Sequence, residues 1–270
     1  MISIRDEEFH QLARYVKSYC GLDLSGKKHL VEGRLQNVLT SLNMNSFSEY
    51  YHYVIKDRSG EALVDLLNKL TTNHTFFMRE SEHFHFFRET VLPYLSVAAK
   101  NKDLRIWSAG CSSGEEPYTL AMILQDFFGE KKWLWDTRVL ATDISRKVLK
   151  IAAEGIYSSD QVAVLPELWR RKYLQPVGNG RYQIVEKLRK EVIFREFNLN
   201  TPVFPFKKKF HVIFCRNVMI YFDSETKREL VDKFYQSLEP GGYLFIGHAE
   251  SINRDQTKFK YVKPAIYRKE

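Results

Sequence analysis

Short apolar strands alternate with helices from about residue 104 onward, and this alternation constrains the fold more than any other feature of the chain. Strands separated by helices form a mainly parallel sheet that is covered on both faces. A later run, residues 261–267, has the pattern of a last edge strand. We therefore expect an α/β domain over residues 104–270. Its four earlier strand candidates are residues 104–107, 139–143, 210–214 and 242–247.

The first strand runs into a loop of small residues, Ser108–Gly114, and then into a helix that begins at Glu115. Such a loop lets backbone N–H groups approach a ligand closely. Its glycine spacing matches neither a dinucleotide-binding loop nor a P-loop, so phosphate binding is not indicated. The acids Glu115 and Glu116 instead favour a cationic or zwitterionic ligand, although Glu115 could equally be an ordinary helix-start residue. Asp143 ends the second strand, where an acid commonly holds ribose hydroxyls.

Residues 1–72 carry apolar residues at helical spacing and predict a small helical domain. Gly21 stands where a C-terminal cap is expected, and Leu30 and Leu42 belong to the predicted buried stripe of the second helix. We expect residues 73–103 to form a linker and a connecting helix. The turn residues 178–180, with possible strands at 182–185 and 191–195, predict a small β-hairpin inserted near 173–196.

Charge and cysteine content indicate the kind of partner and the cellular compartment. The chain has 41 basic and 33 acidic residues, a net charge of +8, which suggests an acidic partner such as nucleic acid, a membrane surface or an acidic protein. The basic residues occur in short groups that are typical of solvated faces. Cys20, Cys111 and Cys215 lack C-x-x-C spacing, which fits a reducing compartment. The acidic N-terminus and the lack of a long apolar run predict a cytoplasmic protein without membrane insertion.

The chain carries four ordered motifs, at residues 71–80, 107–118, 141–144 and 214–222. Together they closely resemble the CheR family, the S-adenosylmethionine-dependent methyltransferases that methylate glutamate side chains of bacterial chemoreceptors. The resemblance implies a Rossmann-like methyltransferase sheet, an N-terminal all-α domain and a small inserted β-subdomain. It also implies that receptor glutamates become 5-O-methyl esters as S-adenosylhomocysteine forms, without a metal.

The same resemblance assigns candidate site residues. Arg79 and Tyr221 look like the residues closest to the transferred methyl, and we expect them to orient the acceptor carboxylate without removing a proton. Glu115 would meet the amino acid end of the cofactor, Asp143 its ribose and Asn198 the adenine edge. The residues expected to line the cofactor site are Asn73, Thr75, Arg79, Glu115, Asp143, Asn198, Leu199, Asn217 and Val218.

Three positions depart from the family pattern, and two of these departures bear on partners. Lys27, Lys28 and Arg34 remain as candidates for docking on the receptor methylation helices, but Gln36 and Asn37 stand where further arginines often sit. The turn within residues 177–181 is shorter and poorer in glycine than in members that bind a receptor C-terminal pentapeptide. We therefore expect no dependence on that tether. Ser145 replaces an acid that often follows the ribose-binding residue, and we discount this change.

Two other function classes stay open at this point. The basic charge would allow a nucleic-acid methyltransferase, but the chain lacks the Asn/Asp-Pro-Pro-aromatic sequence usual in enzymes that methylate exocyclic base nitrogens. A non-catalytic module that only senses S-adenosylmethionine is less favoured because Arg79 and Tyr221 are intact. His83-x-His85 has no obvious third zinc ligand, so we expect a solvated helix face there. Nothing requires more than a monomer.

Overall fold

The computed structural model describes residues 2–270 and divides into two compact units. The first unit comprises the residues up to Asn73 together with Tyr221–Lys227, and the second comprises His74–Ile220 with Arg228–Glu270. A single boundary at residue 72 therefore misses the later segment that belongs to the first unit. Within residues 2–270, no helix has the length and apolar character that crossing a bilayer requires.

The regular elements in the main segment of the first unit are helices joined by short loops, as the apolar spacing predicts. Gly21 ends the first helix with φ +78°, and its N–H donates to the carbonyl oxygen of Lys17 at 2.8 Å. Such a left-handed residue satisfies a carbonyl that a helix end would leave unpaired. The helices are α1 (Asp6–Cys20), α2 (Lys28–Ser41), α3 (Phe47–Lys56) and α4 (Glu61–Leu70).

The buried stripe of α2 is narrower than the sequence suggests. Val31, Leu35 and Leu39 are buried at four-residue spacing, whereas Leu30 is 39% exposed and Leu42 is 38% exposed. Leu30 lies about 100° around the helix from Val31, and Leu42 lies beyond the last helical residue. The prediction that both are buried is wrong because residue type alone does not fix the width of an apolar face.

The second unit contains a seven-stranded sheet, which confirms the predicted α/β fold. Its strands are β1 (Ile106–Ala109), β2 (Val139–Asp143), β6 (Val192–Glu196), β7 (Phe210–Cys215), β8 (Leu238–Ile246), β9 (Lys260–Lys263) and β10 (Ile266–Arg268). Across the sheet they lie in the order β6-β2-β1-β7-β8-β10-β9. Each pair of neighbouring strands from β6 to β8 is parallel, whereas β10 pairs antiparallel with both β8 and β9.

Two strand assignments from the sequence change in the structure. Residues 191–195, placed in the inserted hairpin, lie mostly in β6, which pairs in parallel with β2 and forms one edge of the large sheet. Residues 261–267, read as one edge strand, form the hairpin β9–β10 with β9 at the other edge. Short-range pattern shows that a run is extended, but it does not identify the partner strand.

A separate three-stranded antiparallel sheet, in the order β3-β5-β4, lies within the second unit. Its strands are β3 (Ile156–Ser158), β4 (Leu174–Gly178) and β5 (Arg181–Ile184). Asn179 and Gly180 connect β4 to β5. The remaining helices are α5 (Ser81–Phe86), α6 (Leu92–Ala98), α7 (Glu115–Phe128), α8 (Arg146–Glu154), α9 (Ser159–Val162), α10 (Glu167–Tyr173), α11 (Glu186–Arg189) and α12 (Ser224–Ser237).

Candidate functional site

The carboxyl ends of β1, β2, β6 and β7 meet at one edge of the large sheet, where ligands bind in open α/β folds. The loop after β1 is held there because the N–H groups of Gly110 and Cys111 donate to the carbonyl oxygen of Thr142 at 2.8 and 2.9 Å. Gly110 has φ +85°, and a Cβ at this position would lie 2.4 Å from Val218 Cγ2. Glycine is therefore required for Val218, which follows β7, to approach the loop.

Glu115 begins α7 with its side chain enclosed, since the residue is only 1% exposed. Its carboxylate accepts from the Ser113 hydroxyl at 2.7 Å and from Gln161 Nε2 at 3.5 Å, and both partners are neutral. Burial raises the pKa of Glu115 because a charged carboxylate loses its hydration there. A buried acid with neutral partners suits a cationic ligand group, such as the ammonium of an amino acid.

Asp143 ends β2 beside the same loop. Its Oδ2 accepts the Ser112 N–H at 2.9 Å, and its Oδ1 accepts the Ser145 N–H at 3.0 Å. Desolvation raises the pKa of Asp143 although these N–H groups work in the opposite direction. Each carboxylate oxygen can accept a further bond, so the group can also hold hydroxyl donors. Ser145 itself caps α8, since its hydroxyl accepts from the Val148 N–H at 3.4 Å.

The segment after β6 reaches the same edge. The Phe197 N–H donates to the Asp143 carbonyl oxygen at 3.0 Å, which places Asn198 next to the end of β2. The Asn198 side-chain oxygen accepts the Asn200 N–H at 2.9 Å, and Leu199 is buried. The polar Asn198 side chain and the apolar Leu199 side chain therefore both belong to the segment beside the end of β2.

Asn217 follows β7 in a strained left-handed conformation, with φ +60°. Glu250 holds this turn by accepting the N–H groups of Asn217 at 2.9 Å, Ile220 at 3.1 Å and Gly247 at 2.6 Å. A Cβ on Gly247 would lie 2.5 Å from the Asn217 side-chain nitrogen, so glycine permits this packing. No local pattern singles out Glu250, because its role depends on a hydrogen bond to Asn217, 33 residues away in the chain.

Arg216 joins three parts of the site and was also missed by sequence reasoning. It is 6% exposed, and its guanidinium donates to Glu80 and to Glu116, each at 3.1 Å, and to the Arg79 carbonyl oxygen. The Asn217 amide donates to the other Glu80 oxygen at 3.2 Å. Burial opposes ionisation of Glu80, yet the Arg216 charge and these hydrogen bonds lower its pKa.

Arg79 lies in the segment that carries Thr75, and both residues are half-buried. The Arg79 guanidinium donates to the His74 carbonyl oxygen at 2.6 Å and lies 6.0 Å from the Phe76 ring centroid. The backbone is unusual on either side, since Met78 and Glu80 have φ values of +60° and +53°. Non-glycine residues in this region store strain that tends to concentrate at functional sites.

His83 is not on a solvated face, so that prediction is wrong; it is 1% exposed, whereas His85 is exposed. Burial, together with the nearby Arg216 charge, lowers the pKa of His83 to about 3, so the ring is neutral. Glu80, His83 and His248 place one potential metal ligand each within 4.8 Å of the others. However, Arg216 donates to the Glu80 oxygen that faces His83, so a guanidinium already serves as the cation for this carboxylate.

Two further candidate residues belong to the first unit. The Tyr221 hydroxyl accepts the Thr72 N–H at 3.1 Å and donates to the Thr72 carbonyl oxygen at 3.2 Å. Asn73 donates from its side chain to the Asn68 side-chain oxygen at 3.0 Å. The helical unit therefore fixes both residues by bonds within itself.

The three basic docking candidates are partly engaged inside the first unit. Lys28 pairs with Asp6 at 2.5 Å, and Lys27 donates to the Asp23 carbonyl oxygen at 2.9 Å. Arg34 donates to the Leu70 carbonyl oxygen at 2.8 Å, at the C-terminal end of α4. Their charges remain, but Lys28 is partly neutralised and Arg34 also serves to cap a helix.

Comparison with known proteins gives concordant matches. The family profile described as "CheR methyltransferase, SAM binding domain" matches residues 73–267, and "CheR methyltransferase, all-alpha domain" matches residues 7–71. A chemotaxis protein methyltransferase of Borreliella burgdorferi is 43% identical, with 99% of this chain and 96% of that protein covered. Chemotaxis protein methyltransferase 2 of Vibrio cholerae is 36% identical, with 96% and 90% covered. A solved glycopeptide N-methyltransferase complexed with S-adenosylmethionine aligns at 14% identity and TM-score 0.32, covering 58% of this chain and 52% of that chain, too distant to support an argument.

Proposed function

The chain belongs to the CheR methyltransferase family, and from this premise we propose that it methylates glutamate side chains of chemoreceptors with S-adenosylmethionine. The products are glutamate 5-O-methyl esters and S-adenosylhomocysteine. The observation that carries the proposal is Glu115, a buried carboxylate with neutral partners beside the loop after β1. Neither a nucleic-acid methyltransferase nor a non-catalytic sensor is favoured by the relatives.

The residues at the sheet edge fit this cofactor by their chemistry. Glu115 binds the ammonium of its amino acid part, Asp143 accepts from the ribose hydroxyls, and Asn198 binds the polar edge of the adenine. Leu199 and Val218 supply apolar contact for the ring. Asn73, Thr75, Arg79 and Asn217 complete the proposed set.

The acceptor glutamate needs no general base, because its carboxylate is ionised near neutral pH. When bound, the cofactor supplies a methyl group activated by a positively charged sulfonium. A carboxylate oxygen forms the new bond to carbon as the carbon–sulfur bond breaks, and the electron pair of that bond goes to sulfur. No proton is transferred, so the residues of the chain contribute orientation and exclusion of water.

Arg79 and Tyr221 have the orienting roles in this proposal. The Tyr221 hydroxyl exchanges its hydrogen bond to the Thr72 carbonyl oxygen for one to an oxygen of the acceptor carboxylate, which it thereby orients. Arg79 mainly positions the cofactor. A tight ion pair between Arg79 and the acceptor would weaken the nucleophile. The anchoring of Arg79 on the His74 carbonyl supports a role in positioning.

The partners follow from the charge and from the small sheet. Lys27, Lys28 and Arg34 are proposed to contact the acidic methylation helices of the receptor. The link between β4 and β5 contains only Asn179 and Gly180, which supports independence from a receptor C-terminal pentapeptide. We expect a monomeric enzyme that acts in the cytoplasm without a metal and without nucleic acid. Tight binding of such a pentapeptide would contradict the absence of a tether.

The proposal is tested with purified protein, methyl-labelled S-adenosylmethionine and receptor-containing membranes. Carboxyl methyl esters release labelled methanol in mild alkali, so we expect alkali-labile label on the receptor. The label should be lost in Arg79→Ala and strongly reduced in Tyr221→Phe, with both variants folded by circular dichroism. Label that is stable to alkali would contradict carboxylate methylation.

A further inference from the structure

Lys233, on α12, is half-buried and points its ammonium at the segment that follows β6. Its Nζ donates to the Leu199 carbonyl oxygen at 2.9 Å and to the Thr201 carbonyl oxygen at 3.0 Å. It also lies 5.2 Å from the centroid of the Phe204 ring. We propose that Lys233 is the positioning residue that fixes the Asn198–Leu199 segment for the adenosine part of the cofactor.

Such a clamp adds order to a segment whose backbone is irregular. It is neither helix nor strand between Phe197 and Lys209, so its carbonyl groups have no regular ladder to join. Aromatic packing anchors the rest of it, since the Phe204 and Phe206 rings lie 5.4 and 4.8 Å from the Trp107 ring centroid. Lys233 adds polar contacts to this apolar packing through its hydrogen bonds to the Leu199 and Thr201 carbonyl oxygens.

A cation is the appropriate donor for this position. One ammonium can bond two carbonyl oxygens and still face an aromatic ring, which a neutral amide cannot do with equal strength. Burial lowers the pKa of Lys233, and the Glu229 charge opposes this shift. The two carbonyl oxygens and the ring also interact favourably with the charged form. The Leu199 peptide plane is thereby fixed next to the Asn198 side chain.

The inference rests on the proposed function and assigns Lys233 to one part of the cofactor only. If Lys233 acts through Asn198 and Leu199, its loss weakens every ligand that carries the adenosine group. Glu115 acts on the amino acid end, so its loss weakens only ligands that carry that end. The ligand 5′-methylthioadenosine has the adenosine group and a thioether but lacks the amino acid end, and it separates the two effects.

The experiment measures Kd by calorimetry for S-adenosylmethionine, S-adenosylhomocysteine and 5′-methylthioadenosine. Lys233→Met, which keeps the aliphatic stem, should weaken all three by a similar factor of about tenfold. Glu115→Gln should weaken the first two and leave 5′-methylthioadenosine within about twofold. Lys233→Arg should recover most of the affinity, and kcat at saturating cofactor should change little in either Lys233 variant.

Arg228→Met is the matched control, since Arg228 is an exposed cation on the same helix and should leave all three Kd values unchanged. Should Lys233→Met not fold, Lys233→Gln is measured instead. Wild-type affinities in a folded Lys233 variant would overturn the inference and leave the proposed function intact. Failure of the wild-type protein to bind any of the three ligands would overturn both.

Discussion

Glu115 combines burial with neutral hydrogen-bond partners, and this predicts a pH dependence of cofactor binding. The ammonium of the ligand needs the ionised carboxylate, but burial raises the pKa of Glu115 in the free protein. Protonation therefore competes with binding at higher pH than for an ordinary glutamate. We expect affinity to rise with pH through this raised pKa and then to level off, as measured by calorimetry between about pH 5 and pH 8.

Glu115→Gln should bind S-adenosylmethionine at least tenfold more weakly at neutral pH, roughly the effect of losing a charged hydrogen bond. It should also remove most of the pH dependence, with the remainder due to Asp143, whose pKa burial also raises. The exposed Glu130→Gln is the control. A pH profile that is the same in Glu115→Gln and in wild type would contradict the assignment of Glu115 to the ammonium.

The backbone conformation and close packing of Gly110 lead to a prediction about the free energy of unfolding. In Gly110→Ala the new Cβ would meet Val218 Cγ2 at 2.4 Å and would also sit at φ +85°. We expect a loss of about 1–3 kcal/mol in the free energy of unfolding, measured with urea. Val218→Ala in the same chain should recover part of this loss, because it removes the clash but not the backbone strain. Full recovery would show that the φ value costs nothing.

At the scale of elements, the buried Arg216 guanidinium joins the end of β7 to α7 and to the segment before α5. Arg216→Met leaves Glu80 and Glu116 buried without their cation, so we expect a loss of about 3–5 kcal/mol in the free energy of unfolding. The triple variant Arg216→Met, Glu80→Gln, Glu116→Gln should recover much of it. Urea denaturation of the single, double and triple variants tests this, and an additive series would refute a coupled network.

Prediction from sequence succeeds where a pattern is local. The helices of the first unit, the Gly21 cap and the positions of β2 and β7 follow from apolar spacing and turn residues. Partners distant in sequence are not encoded this way, so the pairing of β6 with β2 and the burial of His83 were missed. The site shows the same division, because Asp143 ends a recognisable strand whereas Lys233 acts across 34 residues on Leu199.

At the scale of the whole molecule, the net charge of +8 bears on the proposed docking to acidic receptor helices. Lys27→Glu combined with Lys28→Glu should raise KM for the receptor several-fold, more at low than at high salt, because screening weakens surface charge effects. The Kd for S-adenosylmethionine should not change. Lys56→Glu, an exposed charge reversal on α3, is the control. An equal effect of Lys56→Glu would show that net charge matters and that these two positions do not.

The central claim is that the chain forms a methyl ester on receptor glutamates, and peptide mapping tests it most directly. Receptor-containing membranes are incubated with S-adenosylmethionine and the wild-type protein, and receptor peptides are sequenced by mass spectrometry. We predict the added mass of one methyl group on glutamate side chains, reversed by mild alkali and absent with Arg79→Ala. Methyl groups found on lysine or arginine nitrogens, or on nucleic acid with the receptor unmodified, would contradict the account.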